Sequence, residues 1–179
     1  LYRVDLQGHF PEKLPLDQVA YASLSPDGKL VAFNRFNSDR MNWKGYRGGM
    51  QQDIWIAETR GKNFKRITKW PGYDNRPMWH GEQIFFNSDR EDGRMNIYVY
   101  DIKSGEISRC TYHKDWDVEF PEIGDDRIVY VCEGYLRVYD ILTGKSERLK
   151  IEIPSDRWRM RDLYVNPGGY LQEIGLGPE

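Results

Sequence analysis

Three short sequence elements recur along this chain at offsets of 39 to 53 residues, and this repetition constrains the fold more than any other feature. The first element occupies 31–34, 84–87 and 128–131, the second 53–56, 96–99 and 135–138, and the third 66–68, 109–111 and 148–150. A period of this size is typical of folds built by stacking copies of one small supersecondary unit. The chain is therefore expected to contain several similar units in a row.

Each unit is predicted to consist of short β-strands. The first element is a run of β-branched and aromatic residues that is too short for a helix, and the second alternates its side chains between opposite faces. The sequence Ser-Pro-Asp-Gly at 25–28 favours a reverse turn, and Gly105 and Gly144 mark comparable turn positions. No window has the apolar spacing of an amphipathic helix.

Four short strands in each unit of about 40 to 50 residues predict an all-β fold, a β-propeller of four-stranded antiparallel blades. A single four-stranded blade cannot bury both of its faces, so blades stack radially and each covers its neighbour. The main competitor is a β-sandwich, which has no physical reason to repeat its sequence at this interval.

The repeats predict one partial propeller domain over 1–179, with about three complete blades and part-blades at both ends. Residues 175–179 match 23–27 at an offset of 152, which is three units. The predicted parts are the end of a preceding blade at 1–20, blades at 21–74, 75–117 and 118–172, and the start of the next blade at 173–179. Because the chain starts without Met and stops inside a turn, we expect it to be a piece of a longer protein.

Charge and hydropathy exclude two classes of partner. The net charge is -2 and the pI is about 6.0, which argues against a protein that binds nucleic acid by neutralising phosphates. No apolar run approaches the roughly 18 residues that a membrane span needs. Aromatic residues make up 14% of the chain, enough together with the β-branched residues to exclude disorder.

The sequence contains no pattern typical of a catalytic, cofactor or metal site. Cys110 and Cys132 lie in unlike contexts with no C-x-x-C, and the three histidines are isolated from one another. No Gly-x-Ser-x-Gly motif is present. We therefore predict that this chain itself carries no catalytic residue, cofactor or metal ligand.

The first complete unit has a long insertion, 35–52, between its second and third strands. A hairpin loop needs only about 2 to 5 residues. Lys44 and Arg47 are candidates to hold a carboxylate, and Trp43 and Tyr46 are candidates to flank an apolar side chain of a ligand. The alternative is architectural: the two aromatic residues pack the loop onto the blade and the glycines form its turns.

A second set of candidate binding residues lies near the end of the chain. Arg157 and Arg159 alternate with Trp158 and Met160, and Arg161 continues the pattern, so an extended backbone places the three cations on one face. They are candidates to line a pore that attracts the carboxylates of peptides. The alternative is a sheet edge protected by charge.

The insertion motif Trp-Lys-Gly-Tyr-Arg-Gly-Gly at 43–49, followed by Asp-Ile-Trp-Ile at 53–56, resembles the first propeller of the tricorn protease family. The segments 1–4, 97–101 and 136–140 continue the similarity in the family's order. The resemblance implies a six-bladed propeller, and beyond it a seven-bladed propeller, PDZ-like domains and a catalytic domain with a serine nucleophile. It implies a non-catalytic role here, shaping a channel or docking surface for peptide substrates and products.

The implied partners are peptides, the remaining blades and the downstream catalytic domains of a homo-oligomeric parent peptidase. Two alternatives stay open: a stand-alone TolB-like propeller that binds a protein, and the propeller of a prolyl-oligopeptidase-like peptidase. Archaeal relatives favour the cytoplasm, whereas bacterial relatives are often exported to the periplasm or beyond.

Overall fold

The computed structural model describes residues 1–37, 46–152, 154, 160 and 162–170. The chain divides into two units, 1–149 and 150–179. In the second unit the described residues include a 3₁₀ turn at Pro167–Gly169, where the side chain of Asn166 accepts a hydrogen bond of 3.1 Å from the backbone N–H of Gly168. No described residue of this unit lies in a strand.

The first unit is built from antiparallel β-sheets whose strands follow chain order. A small hairpin pairs β1 (Tyr2–Arg3) with β2 (Glu12–Lys13). The first sheet contains β3 (Tyr21–Leu24), β4 (Leu30–Asn34), β5 (Trp55–Glu58) and β6 (Lys62–Arg66). The second contains β7 (Asp74–His80), β8 (Gln83–Ser88), β9 (Asn96–Asp101) and β10 (Ile107–Arg109). The third contains β11 (Glu119–Gly124), β12 (Arg127–Cys132), β13 (Tyr135–Asp140) and β14 (Lys145–Arg148).

Three four-stranded antiparallel sheets confirm the predicted all-β fold class, and no described residue lies in an α-helix. In the part of the chain that the structure describes, no helix has the length and apolar character to cross a bilayer. The predicted boundaries at 20/21, 74/75, 117/118 and 172/173, and the assignment of both chain ends to neighbouring blades, stay predictions.

Equivalent turns close the last hairpin of the second and third sheets. Asp101 Oδ1 accepts hydrogen bonds from the backbone N–H groups of Lys103 and Ser104, and Asp140 Oδ1 accepts one from the backbone N–H of Thr143. These bonds satisfy backbone donors that the ladder leaves free. Gly105 and Gly144 complete the turns at φ values of 76° and 67°, which favour glycine.

The core lies between the sheets, because each strand directs alternate side chains to opposite neighbours. On β8, Phe86 packs into a cluster with Ala32 of the first sheet and with Ile54, which directly precedes β5. The adjacent residue, Phe85, packs into a cluster with Ile128 of the third sheet. The second sheet is therefore covered on both faces, as the blades of a stack must be.

The first strands of the three sheets lie next to one another, because β7 contacts both β3 and β11. We call the side of the sheets on which these strands lie the inner side. Two backbone N–H groups of β7 donate to side chains of the first sheet there. The backbone N–H of Trp79 donates to Ser23 Oγ over 2.8 Å, and the backbone N–H of Arg76 donates to Asn34 Oδ1 over 3.2 Å.

Strand order fixes which connections share an end of the sheets. In four antiparallel strands, the connection between the second and third lies at the end where the first begins and the fourth finishes. The long connection between β4 and β5 is thus at the same end as the segments that join one sheet to the next. We call this the insertion end.

Candidate functional site

A cavity of about 390 Å³ opens at the insertion end of the first sheet, and we call it the insertion pocket. Its walls come from both sides of the long connection and from the segment between β6 and β7. The lining residues are three cations, Arg35, Arg66 and Lys69; three aromatic residues, Phe36, Trp55 and Trp70; and Gly48, Gly49, Gln51, Asp53 and Pro71.

The pocket carries a positive charge, since its three cations face one carboxylate. Arg66 Nη1 lies 3.3 Å from Asp53 Oδ2. Arg35 and Lys69 are exposed. Arg35 Nη2 donates to the side-chain oxygen of Gln18 over 3.4 Å. A pocket that combines exposed cations with tryptophan rings suits a carboxylate attached to an apolar group.

Trp70 is held in its place by a partly buried hydrogen bond. Its Nε1 donates to Asp89 Oδ1 over 2.7 Å, and the same oxygen accepts from the backbone N–H of Tyr73 over 2.8 Å. Gly72 lies under this contact, and a Cβ atom there would overlap both Asp89 and Trp70. The aromatic wall of the pocket is therefore set by the second sheet.

A buried ion pair lies next to the pocket. Asp74 is fully buried, and its Oδ2 accepts a hydrogen bond of 2.7 Å from Arg90 Nη2. The Arg90 guanidinium lies 5.2 Å and 5.3 Å from the ring centroids of Phe86 and Tyr98. Burial raises the pKa of Asp74, although the Arg90 cation acts in the opposite direction.

Asp53 shares this environment. Burial raises the pKa of its carboxyl group and the negative charge of Asp74 adds to the increase, while the Arg66 cation opposes it. Asparagine is the natural counterpart of Asp53 in the second sheet, because Asn96 starts the equivalent strand. In the second sheet, Asn96 Oδ1 accepts a hydrogen bond from Thr111 Oγ1. Thr68, beside Asp53, is the threonine at the equivalent position of the first sheet.

We expect Asp53→Asn to become more stabilising relative to the wild type as the pH rises. Below its unfolded pKa of about 3.9, a carboxyl group whose pKa is raised in the folded state does not lower the free energy of unfolding. Once it is ionised in the fold, it lowers that free energy by its full amount. The difference in free energy of unfolding, variant minus wild type, should therefore increase between about pH 4 and pH 7. Urea denaturation across this range measures it.

Asp27→Asn is the matched control, since hydrogen bonds from Ser25 and from the backbone of Lys29 lower the pKa of exposed Asp27. An ionised Asp27 stabilises the fold, so for this variant the same difference should fall as the pH rises toward about 4 and should stay nearly level above that pH. Parallel slopes for the two variants would contradict the assignment.

The candidate residues of the insertion are only partly within the described chain. Trp43 and Lys44 lie outside the described residues. Tyr46 is half-buried and its ring covers Gly48, where a Cβ atom would overlap it. Arg47 is exposed. Both act electrostatically on the Tyr73 hydroxyl, so this part of the insertion lies close to the start of the second sheet.

Arg157 and Arg159 also lie outside the described residues, and their binding role stays a prediction. The residues that sequence reasoning missed are Arg66, Lys69 and Trp70. They belong to the connection between the first and second sheets, which strand order places at the same end as the insertion. Strand order could therefore have predicted that this connection lies beside the insertion. It could not have predicted the pocket, which also depends on how the connection packs.

A second polar group, the inner-strand cluster, joins the first strands of all three sheets through Tyr21, Arg76, Phe120 and Glu122. The Arg76 guanidinium lies 4.2 Å from the Tyr21 ring centroid and 5.1 Å from that of Phe120. Its two terminal nitrogens donate to the Tyr21 hydroxyl over 3.1 Å and to Glu122 Oε1 over 3.0 Å. Arg76 is buried, whereas Phe120 and Glu122 remain exposed on the inner side.

Paired bulges place this cluster. Arg76 and Phe120 each precede a proline and have φ values of 51° and 50°, at positions where the register with the second strand shifts. A bulge redirects a side chain out of the normal alternation. Both bulges therefore turn their side chains toward the neighbouring first strand.

Comparison with known proteins agrees with this architecture. The family described as "Tricorn protease N-terminal beta propeller domain" matches residues 1–145. The chain belongs to the tricorn protease family. A tricorn protease homolog from Saccharolobus solfataricus is 30% identical over 172 residues, which are 96% of this chain and 16% of that protein. The chain thus spans about one sixth of this relative.

Solved structures of other proteins are also similar to this chain. The crystal structure of the tricorn protease has a TM-score of 0.69 and 28% identity over 87% of this chain and 15% of that one. A putative TolB from Agrobacterium tumefaciens has a TM-score of 0.64 at 20% identity, covering 82% of this chain and 55% of that one. The TolB likeness concerns the propeller fold alone.

Proposed function

We propose that this tricorn-family propeller chain is non-catalytic and serves a serine peptidase by shaping a channel or docking surface for peptides. The observation that carries the proposal is the insertion pocket, with its exposed cations beside fixed aromatic walls. Family membership supports the link to proteolysis, and the inner-strand cluster supports a polar inner surface.

The chemistry of the pocket matches a peptide better than a rigid small molecule. Lys69 and Arg35 offer charge to a carboxylate, while Trp55 and Trp70 offer apolar contact to a neighbouring side chain. The insertion residues Lys44, Arg47, Trp43 and Tyr46 are proposed to add side chains of the same chemical types. An open, exposed site of this kind binds weakly, which suits a surface that passes peptides onward.

The remaining blades, a catalytic domain with a serine nucleophile and a homo-oligomeric assembly are proposed for the parent protein. Their support is the small share of the relatives' length that this chain covers. Arg157 and Arg159 are proposed, from the sequence alone, to bind the carboxylates of peptides.

The test is peptide binding by the Lys69→Gln variant, measured as fluorescence anisotropy of a labelled acidic peptide. We expect at least a threefold weaker affinity and a wild-type affinity that falls with added salt, because exposed charges are screened. The matched control is Lys62→Gln, which removes an exposed lysine at the start of β6, whereas Lys69 lies in the connection that follows the end of this strand.

In the parent peptidase, Lys69→Gln should raise KM for peptides while kcat for a small chromogenic substrate stays unchanged. Equal binding by the Lys69 and Lys62 variants would contradict a role for the pocket. A parent protein that retains activity after loss of its catalytic serine would contradict the link to a serine peptidase.

A further inference from the structure

Three potential metal ligands of different chemistry meet at the insertion end, between the second and third sheets. They are His113, Cys132 and Glu133, which we call the donor triad. One donor atom from each residue, a ring nitrogen, the thiol sulfur and a carboxylate oxygen, lies within 4.8 Å of the other two. The triad is separate from the insertion pocket, which belongs to the first sheet.

The fold fixes the backbone at each position. Cys132 is the last residue of β12, and its side chain is buried in the core cluster between the second and third sheets. Glu133 and Gly134 form the two-residue turn to β13, with φ values of 59° and 74°. His113 lies in the connection between β10 and β11, and its backbone N–H donates to Asn96 Oδ1 over 2.9 Å.

The ring of His113 is held by a chain of hydrogen bonds. His113 Nε2 lies 3.0 Å from the Tyr130 hydroxyl, which in turn contacts Ser146 Oγ. When Nε2–H donates to Tyr130, the lone pair of the ring lies on Nδ1. Metal-binding histidines are typically held in this way by a hydrogen bond at the second nitrogen.

We propose that His113, Cys132 and Glu133 form a Zn²⁺ site with a fourth position open to water. Nitrogen, thiolate and carboxylate are the three ligand types that zinc takes in proteins, and three protein ligands with one open position are a common arrangement. Softer Cu⁺ prefers more sulfur, and Mg²⁺ and Ca²⁺ prefer oxygen alone. The mixed set therefore selects zinc.

Zinc binding requires the three donor atoms, which lie within 4.8 Å of one another, to move closer together. Zinc bonds of about 2.3 Å to sulfur and about 2.0 Å to nitrogen place tetrahedral ligands roughly 3.5 Å apart. Glu133 lies on the turn and is exposed, so its carboxylate approaches the other two donors by a change of rotamer.

Charge also balances at the site. A thiolate and a carboxylate neutralise the ion, while Arg137, whose Nη1 lies 3.8 Å from Glu133 Oε2, competes for the carboxylate. The Cys132 thiol, which contacts the carbonyl oxygen of Trp116 in this structure, gives up its proton to solvent when the ion binds.

Titration of the full chain with Co²⁺ tests the proposal, since Co²⁺ occupies zinc sites and reports a thiolate ligand by its charge-transfer absorption. We expect one Co²⁺ per chain with this band, displaced by one equivalent of Zn²⁺. The band should vanish in Cys132→Ser and persist in Cys110→Ser, which removes the chain's other free thiol. Absence of the band in the wild type, or its loss in Cys110→Ser alone, would overturn the site.

Two further variants keep the test decisive if Cys132→Ser fails to fold. Glu133→Gln changes an exposed turn residue and should weaken Zn²⁺ binding at least about tenfold in calorimetry, while the thiolate band remains. Tyr130→Phe removes only the hydroxyl that orients His113 and should weaken binding by about tenfold. Unchanged affinity in both variants would overturn the assignment of the ligands.

Discussion

Replacing Asp74 with alanine is expected to lower the free energy of unfolding by about 3–5 kcal/mol. Asp74 is 0% exposed and its partner Arg90 is 16% exposed, so the change leaves a guanidinium among aromatic rings without its carboxylate. Removing one member of a buried ion pair has a large effect because the remaining charge stays desolvated. Urea denaturation followed by tryptophan fluorescence measures the loss.

The control is Glu12→Ala, which breaks the Arg3–Glu12 pair on the surface of the small hairpin. Both of its partners are more than half exposed, so we expect a change of less than about 1 kcal/mol. Asp74→Asn should fall between the two, since an amide oxygen still accepts from Arg90. Equal losses for Asp74→Ala and Glu12→Ala would show that burial of the pair does not matter.

Replacing Phe86 with alanine is the second change with a large expected effect, about 3–5 kcal/mol. Phe86 is fully buried between the first and second sheets and lies 6.2 Å from the Tyr98 ring, centroid to centroid. The loss combines buried apolar area with the cavity that the ring leaves, because both sheets are held in place by their own ladders. A shift of the urea midpoint at constant slope measures it.

Phe10→Ala is the matched control for this aromatic truncation. Phe10 is 98% exposed, and its loss should change the free energy of unfolding by no more than about 0.5 kcal/mol. If Phe86→Ala behaved like Phe10→Ala, the packing of the first sheet against the second would not contribute to stability.

Local patterns were sufficient to predict the second and third strands of each sheet. The alternation of side chains on β8 distinguishes Phe85 from Phe86, and the structure places them in different core clusters. The Asp-x-x-x-Gly turns at 101–105 and 140–144 follow from their own sequence, because each aspartate bonds to backbone only a few residues away. These features depend on neighbours in the chain.

The sites were harder to predict because their residues are far apart in sequence. Arg76 contacts Tyr21 and Glu122, 55 and 46 residues away, and this requires the sheet stacking and both bulges. Pro77 and Pro121 were a visible signal for those bulges, but not for what the redirected side chains would contact. His113 and Cys132 meet for the same reason, although their spacing matches no zinc motif.

The pairing of β4 with β5 does not depend on the length of the connection that joins them. β4 and β5 pair in regular register from Leu30 with Glu58 to Phe33 with Trp55, much as β12 and β13 do across the two-residue turn Glu133–Gly134. Doubling the length of a flexible loop costs only about 0.6 kcal/mol. Evolution, or a protein engineer, can therefore exchange the segment between Asn37 and Gln51 for a new specificity, provided that the buried residues Gln52 and Ile54 are kept.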